Sequence, residues 1–184
     1  MLGKLNLVTI LGALALFFFP WIEVQCSGKP MFRQTGVQTI QGTGTLLGEF
    51  REYENEENSE GKAAVLPAIA LFCIVGALAF AIRSFLKGGG HDIPGALCFI
   101  ALIFLLIQAA VEFPARETEG IHRSAPRSPG PLGGIQETIN EATRREITSN
   151  YLPAFYLELA ALAFPSLVFV NGAISRLRKQ GAVV

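Results

Sequence analysis

Four long apolar runs decide what this chain can become. They cover Leu5 to Ile22, Ala63 to Ile82, Ile93 to Val111 and Leu152 to Ser175. Each is close to the roughly 20 residues a helix needs to cross about 30 Å of hydrocarbon. Lipid offers the backbone no hydrogen-bond partners, so a segment that enters it must satisfy its own N–H and C=O groups, and an isolated run can do that only as a helix. Three of the four runs carry no charge. At 51% hydrophobic and 16% charged, the chain falls well below the charged share of about 25% usual in soluble domains. The expectation is an all-α membrane protein, a four-helix transmembrane bundle. The first run follows Lys4 and could be a secretory leader, yet Phe17-Phe18-Phe19-Pro20-Trp21 offers no small-residue cleavage site, so it reads as an uncleaved span. Trp21, at its far end, has the position of an interfacial aromatic anchor.

Basic residues near span ends set orientation. Lys4 precedes the first run, Arg83 and Lys87 follow the second, and Arg176, Arg178 and Lys179 follow the fourth. All three segments fall on one side, which is then the cytoplasm, giving an N-in/C-in topology. The resulting partition is spans at 1–22, 63–82, 93–111 and 152–175, a cytoplasmic turn at 83–92, a tail at 176–184, and outer loops at 23–62 and 112–151. The first loop carries Glu49, Glu52, Glu54, Glu56, Glu57 and Glu60. No Asn-x-Ser/Thr sequon occurs, which leans toward a bacterial inner membrane.

Within the first outer loop, Trp21 to Cys26 and Phe32 to Ile40 flank a Ser27-Gly28-Lys29-Pro30 turn and partly alternate apolar with polar residues, the pattern of a small β-hairpin. Glu23, Gln25, Arg33 and Gln38 on that hairpin form a candidate partner surface. The second loop opens with a Pro- and Gly-rich linker. Ile135 to Ile147 then reads as a short amphipathic helix, with Ile135, Ile139 and Ala142 at helical spacing and Arg144 and Arg145 near its end, ready to meet loop glutamates or lipid headgroups.

Four helices with an outer hairpin after the first resemble the claudin-like arrangement in topology. Claudins carry a tryptophan-rich motif and two cysteines in that loop, where this chain has Trp21 and a single Cys26. The four-helix quinone-linked thiol oxidases share the helix count but need paired cysteines facing a quinone; Cys26, Cys73 and Cys98 are far apart in the chain.

Glu158 is the one charge inside a span. Ala154, Ala161, Pro165 and Gly172 share its helix face and suit close helix contact, so Glu158 is expected to face the bundle as a neutral, hydrogen-bonded acid. Gln108 on the third span, with Glu112 a turn higher, is the expected partner. An intramembrane carboxyl marks either an ion route or a hydrogen bond that fixes helix register.

Other chemistry is sparse. His91 and His122 fall on opposite sides of the membrane, Gly88-Gly89-Gly90 has neither the strand nor the Lys of a phosphate loop, and no triad or metal-ligand spacing occurs. Lys plus Arg equals Asp plus Glu at 15 each, which argues against nucleic acid. The chain reads as a non-enzymatic protein with no cofactor, partnered by lipid and by other membrane subunits or itself. It fits an accessory or assembly subunit first, with a small oligomeric transporter working through Glu158 and Gln108, or a claudin-like adhesion protein, as alternatives.

Overall fold

The computed structural model describes residues 2–26, 28–48, 63–87, 92–111 and 147–181. In chain order the elements are α1 (Leu2–Leu16), β1 (Pro20–Cys26), β2 (Lys29–Thr35), α2 (Gly36–Gln41), β3 (Thr45–Leu46), α3 (Val65–Lys87), α4 (Asp92–Val111), β4 (Ile147–Tyr151) and α5 (Pro153–Gly181). The chain is mostly helical. Three helices, α3, α4 and α5, are long and apolar enough to cross a membrane, and a small antiparallel sheet accompanies them.

The first helix is shorter than its apolar run. Phe18 and Phe19 donate to the Ala15 and Leu16 carbonyls at 3.1 Å, tightening the last turn, and Pro20, which has no N–H, opens β1 instead. At about 1.5 Å per residue α1 is roughly 22 Å long. Trp21 therefore stands on a strand and not at a helix end. It is fully buried, which corrects the interfacial-anchor expectation.

Four helices pack side by side: α1 against α3 and α5, α3 against α4, and α4 against α5. Their buried stripes repeat at helical spacing. Asn6, Ile10 and Ala13 form the inner line of α1, continued by Phe17 in the turn after it; Pro67, Ala70, Ile74, Ala77 and Ala81 that of α3; Gly95, Cys98, Ala101, Leu105 and Gln108 that of α4. Much of the interior is alanine, glycine or cysteine, so the backbones approach closely. A Cβ on Gly95 would lie 2.6 Å from the Phe169 Cβ and 2.9 Å from the Pro165 carbonyl oxygen, which makes glycine obligatory at that crossing. Leu5, Val8 and Leu11 of α1, Phe72 and Val75 of α3, Leu106 of α4 and Leu157 and Leu167 of α5 stand exposed on the outer faces.

The sheet has the order β3-β2-β1-β4 and caps the end of the bundle where α1 stops and α5 begins. The expected hairpin is formed by β1 and β2, with Gly28 at φ 77° in the turn. Its second arm ends at Thr35, short of the expected Ile40. Thr35 caps α2: its hydroxyl accepts from the Gln38 amide while the Gln38 side chain accepts from the Thr35 amide, and Gly42 at φ 71° closes the helix. Val37 donates to the Phe17 carbonyl and Ala64 to the Thr39 carbonyl, so α2 bridges the end of α1 and the approach to α3.

Residues 147–151 correct a second expectation. They form β4, pairing with β1 from Ile22↔Tyr151 to Cys26↔Ile147, where the amphipathic helix was expected to run on to Ile147. Ile147 and Tyr151 favour strand, and the edge of β1 supplies hydrogen bonds that a marginal helix end lacks. The rest of that helix, with Arg144 and Arg145, lies outside the described residues, as do Glu112 and the loop-one glutamates from Glu49 to Glu60.

Candidate functional site

Depth within the bundle follows from three contacts of α4, one with the end of β4 and two with α5. The Tyr151 hydroxyl donates to the Ala109 carbonyl at 3.3 Å, Gly95 backs onto Pro165 and Phe169, and Arg176 pairs with Asp92 at 2.5 Å. The helices are antiparallel, and interpolation sets Glu158 level with the turn from Leu102 to Leu105. Gln108 lies about one turn, roughly 5 Å, nearer the sheet.

Glu158 is fully buried and faces the bundle, as its small-residue stripe led us to expect. Neither of its carboxyl oxygens has a hydrogen-bond partner among the described residues. The expected bond from Gln108 is not formed: Gln108 is buried too, but a turn too far out. Tyr156 points away and is 58% exposed. On α4, Cys98 is close enough to interact electrostatically with Glu158 and with Cys73 of α3, and both thiols are free. A buried acid without a partner costs about 1–3 kcal/mol.

A second polar residue, missed in reading the sequence, shares this condition. Asn6 is 2% exposed, and neither end of its amide has a partner among the described residues. Its signal was present: Asn6 heads the i, i+4, i+7, i+11 stripe of α1, where its polarity interrupts an otherwise apolar face. Ser166, buried on α5, donates to the Leu162 carbonyl at 2.6 Å.

The outer sheet holds the remaining candidates. On β1, Glu23 is buried and faces Arg33 of β2 and Asn150 of β4 across the strands. Arg33 Nε donates to its Oε2 at 2.5 Å and Gln25 Nε2 to its Oε1 at 2.7 Å. The Gln25 hydrogen bond, opposed by burial and helped by the Arg33 bond and charge, holds the Glu23 carboxyl below its ordinary range. Gln38 is occupied by the α2 cap and by Thr45 Oγ1 at 3.0 Å, so this side chain works in the fold. Of the four hairpin candidates, Arg33 presents the most open side chain, 45% exposed.

Trp21 joins sheet to bundle. Its Nε1 donates to the Leu16 carbonyl at 2.9 Å, and its ring meets Phe17 at 4.5 Å and Phe155 at 5.5 Å between centroids. Leu152 donates to the Trp21 carbonyl at 2.7 Å. No three metal-binding side chains converge among the described residues.

No protein-family model matches this chain, and no curated protein matches it.

Proposed function

We propose that all four apolar helices cross the bilayer of a bacterial inner membrane, with both termini cytoplasmic, and that the protein serves without catalysis as an accessory or assembly subunit of a larger membrane complex. The observation that carries this reading is the outward face of the helices. Large apolar side chains are bare on all four, α1 included, and such a surface needs lipid or the helices of other subunits over it. Charge distribution supports the orientation: Lys4, Arg83, Lys87, Arg176, Arg178 and Lys179 gather at the end away from the sheet. The sheet, tied to both α1 and α5, gives a stiff platform for a partner on the outer side.

Two measurements test it. Reporter tags on the two termini should appear in the same compartment; opposite compartments would remove the four-span reading. Mild detergent extraction followed by mass measurement should bring down a fixed set of other membrane subunits. Recovery of the chain alone would defeat the accessory role, and self-assembly lost on changing residues 21–41 would favour the adhesion reading.

The partnerless carboxyl of Glu158 favours a second reading, a small oligomeric transporter or ion-conducting protein. Glu158→Gln at normal expression separates the two: an accessory subunit keeps its function, and a transporter loses it.

A further inference from the structure

Asn6 and Glu158 are both buried with no hydrogen-bond partner for their side chains among the described residues. Phe17, in the turn that ends α1, and Phe155 of α5 both lie against the Trp21 ring and mark a common depth. Asn6 is 11 residues inward from Phe17 on α1, and Ser166 is 11 residues inward from Phe155 on α5 (17 − 6 and 166 − 155). At about 1.5 Å per residue both sit roughly 16 Å below that mark, on helices that pack together. Between them and Glu158, Pro165 supplies no N–H to the Ala161 carbonyl, leaving that oxygen without its ordinary helical donor. By depth, Glu158, then the Ala161 carbonyl, then Ser166 and Asn6 together span roughly 12 Å along the helix axes. The turns facing this line are narrow: Ala13 on α1, Ala70 on α3 and Ala101 on α4, the last two brought level by the contact of Gly76 with Leu97.

We propose that the bundle holds a proton-binding site at Glu158, reached from the cytoplasmic end through ordered internal water carried by Asn6, Ser166 and the Ala161 carbonyl. Buried water bonds to buried polar groups that otherwise lack partners, and the Asn6 amide and the Glu158 carboxyl each lack one among the described residues. The step is a proton transfer: a hydronium ion in the file gives its proton to the carboxylate, one O–H bond breaks and another forms, and a water molecule and a neutral acid remain. The other titratable groups facing Glu158 are the Cys98 thiol of α4 and, beyond it, Cys73 of α3; α1 presents none among the described residues. The described charges all stand at the two ends, from Lys4, Arg83, Lys87, Asp92 and the α5 tail to Glu23, Lys29 and Arg33 in the sheet. This inference goes beyond the accessory reading and draws on the four-span reading only for which end is cytoplasmic.

Infrared hydrogen–deuterium exchange tests it on the full chain in phosphatidylcholine–phosphatidylglycerol vesicles. The wild type should show a carboxylic acid band that Glu158→Gln removes and that shifts promptly on transfer to heavy water. Asn6→Leu should slow the shift about tenfold or more, and Asn6→Ser should restore it. If Asn6→Leu fails to fold, as judged by Trp21 fluorescence, Ser166→Ala carries the same expectation of slowing. Absence of a Glu158-dependent band, or exchange as fast in the folded Asn6 or Ser166 variant as in the wild type, overturns the proposal. Terminal tags report separately: slow exchange with both tags on one side defeats the water route and leaves the spans standing.

Discussion

Gly36→Ala probes the joint between sheet and bundle. A Cβ at Gly36 would lie 2.6 Å from Trp21 Cζ2, 2.8 Å from Trp21 Cε2 and 2.8 Å from Phe17 Cδ1. Carbon atoms in contact prefer about 3.5–4.0 Å, so both rings would have to withdraw by roughly 1 Å. Neither has room. Phe17 and Trp21 are fully buried, and the indole is pinned by its bond to the Leu16 carbonyl and by Phe155 behind it. Overpacking of this kind costs about 1–3 kcal/mol, while replacing glycine by alanine returns about 0.4–1 kcal/mol from the unfolded chain. A net loss of about 1–2 kcal/mol remains, a fall in Tm of roughly 2–8 °C for a chain of this length.

Trp21 is the only tryptophan, so its fluorescence during heating in mild detergent reads the joint directly. Gly12→Ala is the control. A Cβ there meets nothing within 4 Å, and alanine in a helix interior should be neutral or raise stability by up to about 1 kcal/mol. A Gly36→Ala protein that melts at or above the wild type, beside a Gly12→Ala protein that behaves as stated, would refute the account of the joint.

Trp21 emission should be blue-shifted and shielded from a water-soluble quencher, with Trp21→Phe losing about 1–2 kcal/mol along with the bond to Leu16; an easily quenched indole would restore the anchor reading. Glu23 ionises more readily in the folded sheet than in the unfolded chain, so its contribution is fully present above the unfolded carboxyl range and is lost as pH falls through its lowered folded value. A melting series from neutral pH down to about pH 3 should show Glu23→Gln with a shallower decline than wild type, the difference held to about 1 kcal/mol or less because Arg33 is half exposed; parallel curves would contradict this. Asp92→Asn should lower stability by no more than about 0.5 kcal/mol, since both partners of the Asp92–Arg176 pair are solvated, and a larger drop in Tm would show the pair holding α4 to α5.

How much of this was legible depended on the range of the interaction. The apolar runs of α3, α4 and α5 announce themselves because membrane length and charge exclusion are local properties of the chain. The hairpin turn at Gly28 and the Thr35-x-x-Gln38 cap are local as well, although the cap was overlooked in favour of apparent alternation through Ile40. β4 is not legible locally, because a five-residue segment takes its conformation from the partner it finds, and β1 is over 120 residues away in sequence (147 − 26 = 121). Trp21 failed for a related reason. An aromatic at the end of an apolar run fits an interface equally well as a core, and only the arrival of Phe155 and Leu152 from the far end of the chain decides between them.

The polar interior is the harder case. Glu158 could be assigned to the bundle face because helical periodicity depends on its own helix alone, whereas choosing Gln108 as partner required the relative height of two helices. An error of one turn, about 5 Å, exceeds the length of a hydrogen bond. That height is set by Gly95 against Pro165 and Phe169, a steric fact that no charge or hydropathy pattern encodes. The shift strands the Glu158 carboxyl among alanines and leucines while Asn6 is stranded three turns inward from Phe17. Each orphaned polar group in a packed interior costs about 1–3 kcal/mol of stability. Both costs fall at depths fixed by helix packing, which directs experiment to the Asn6 end of the bundle as much as to the carboxyl.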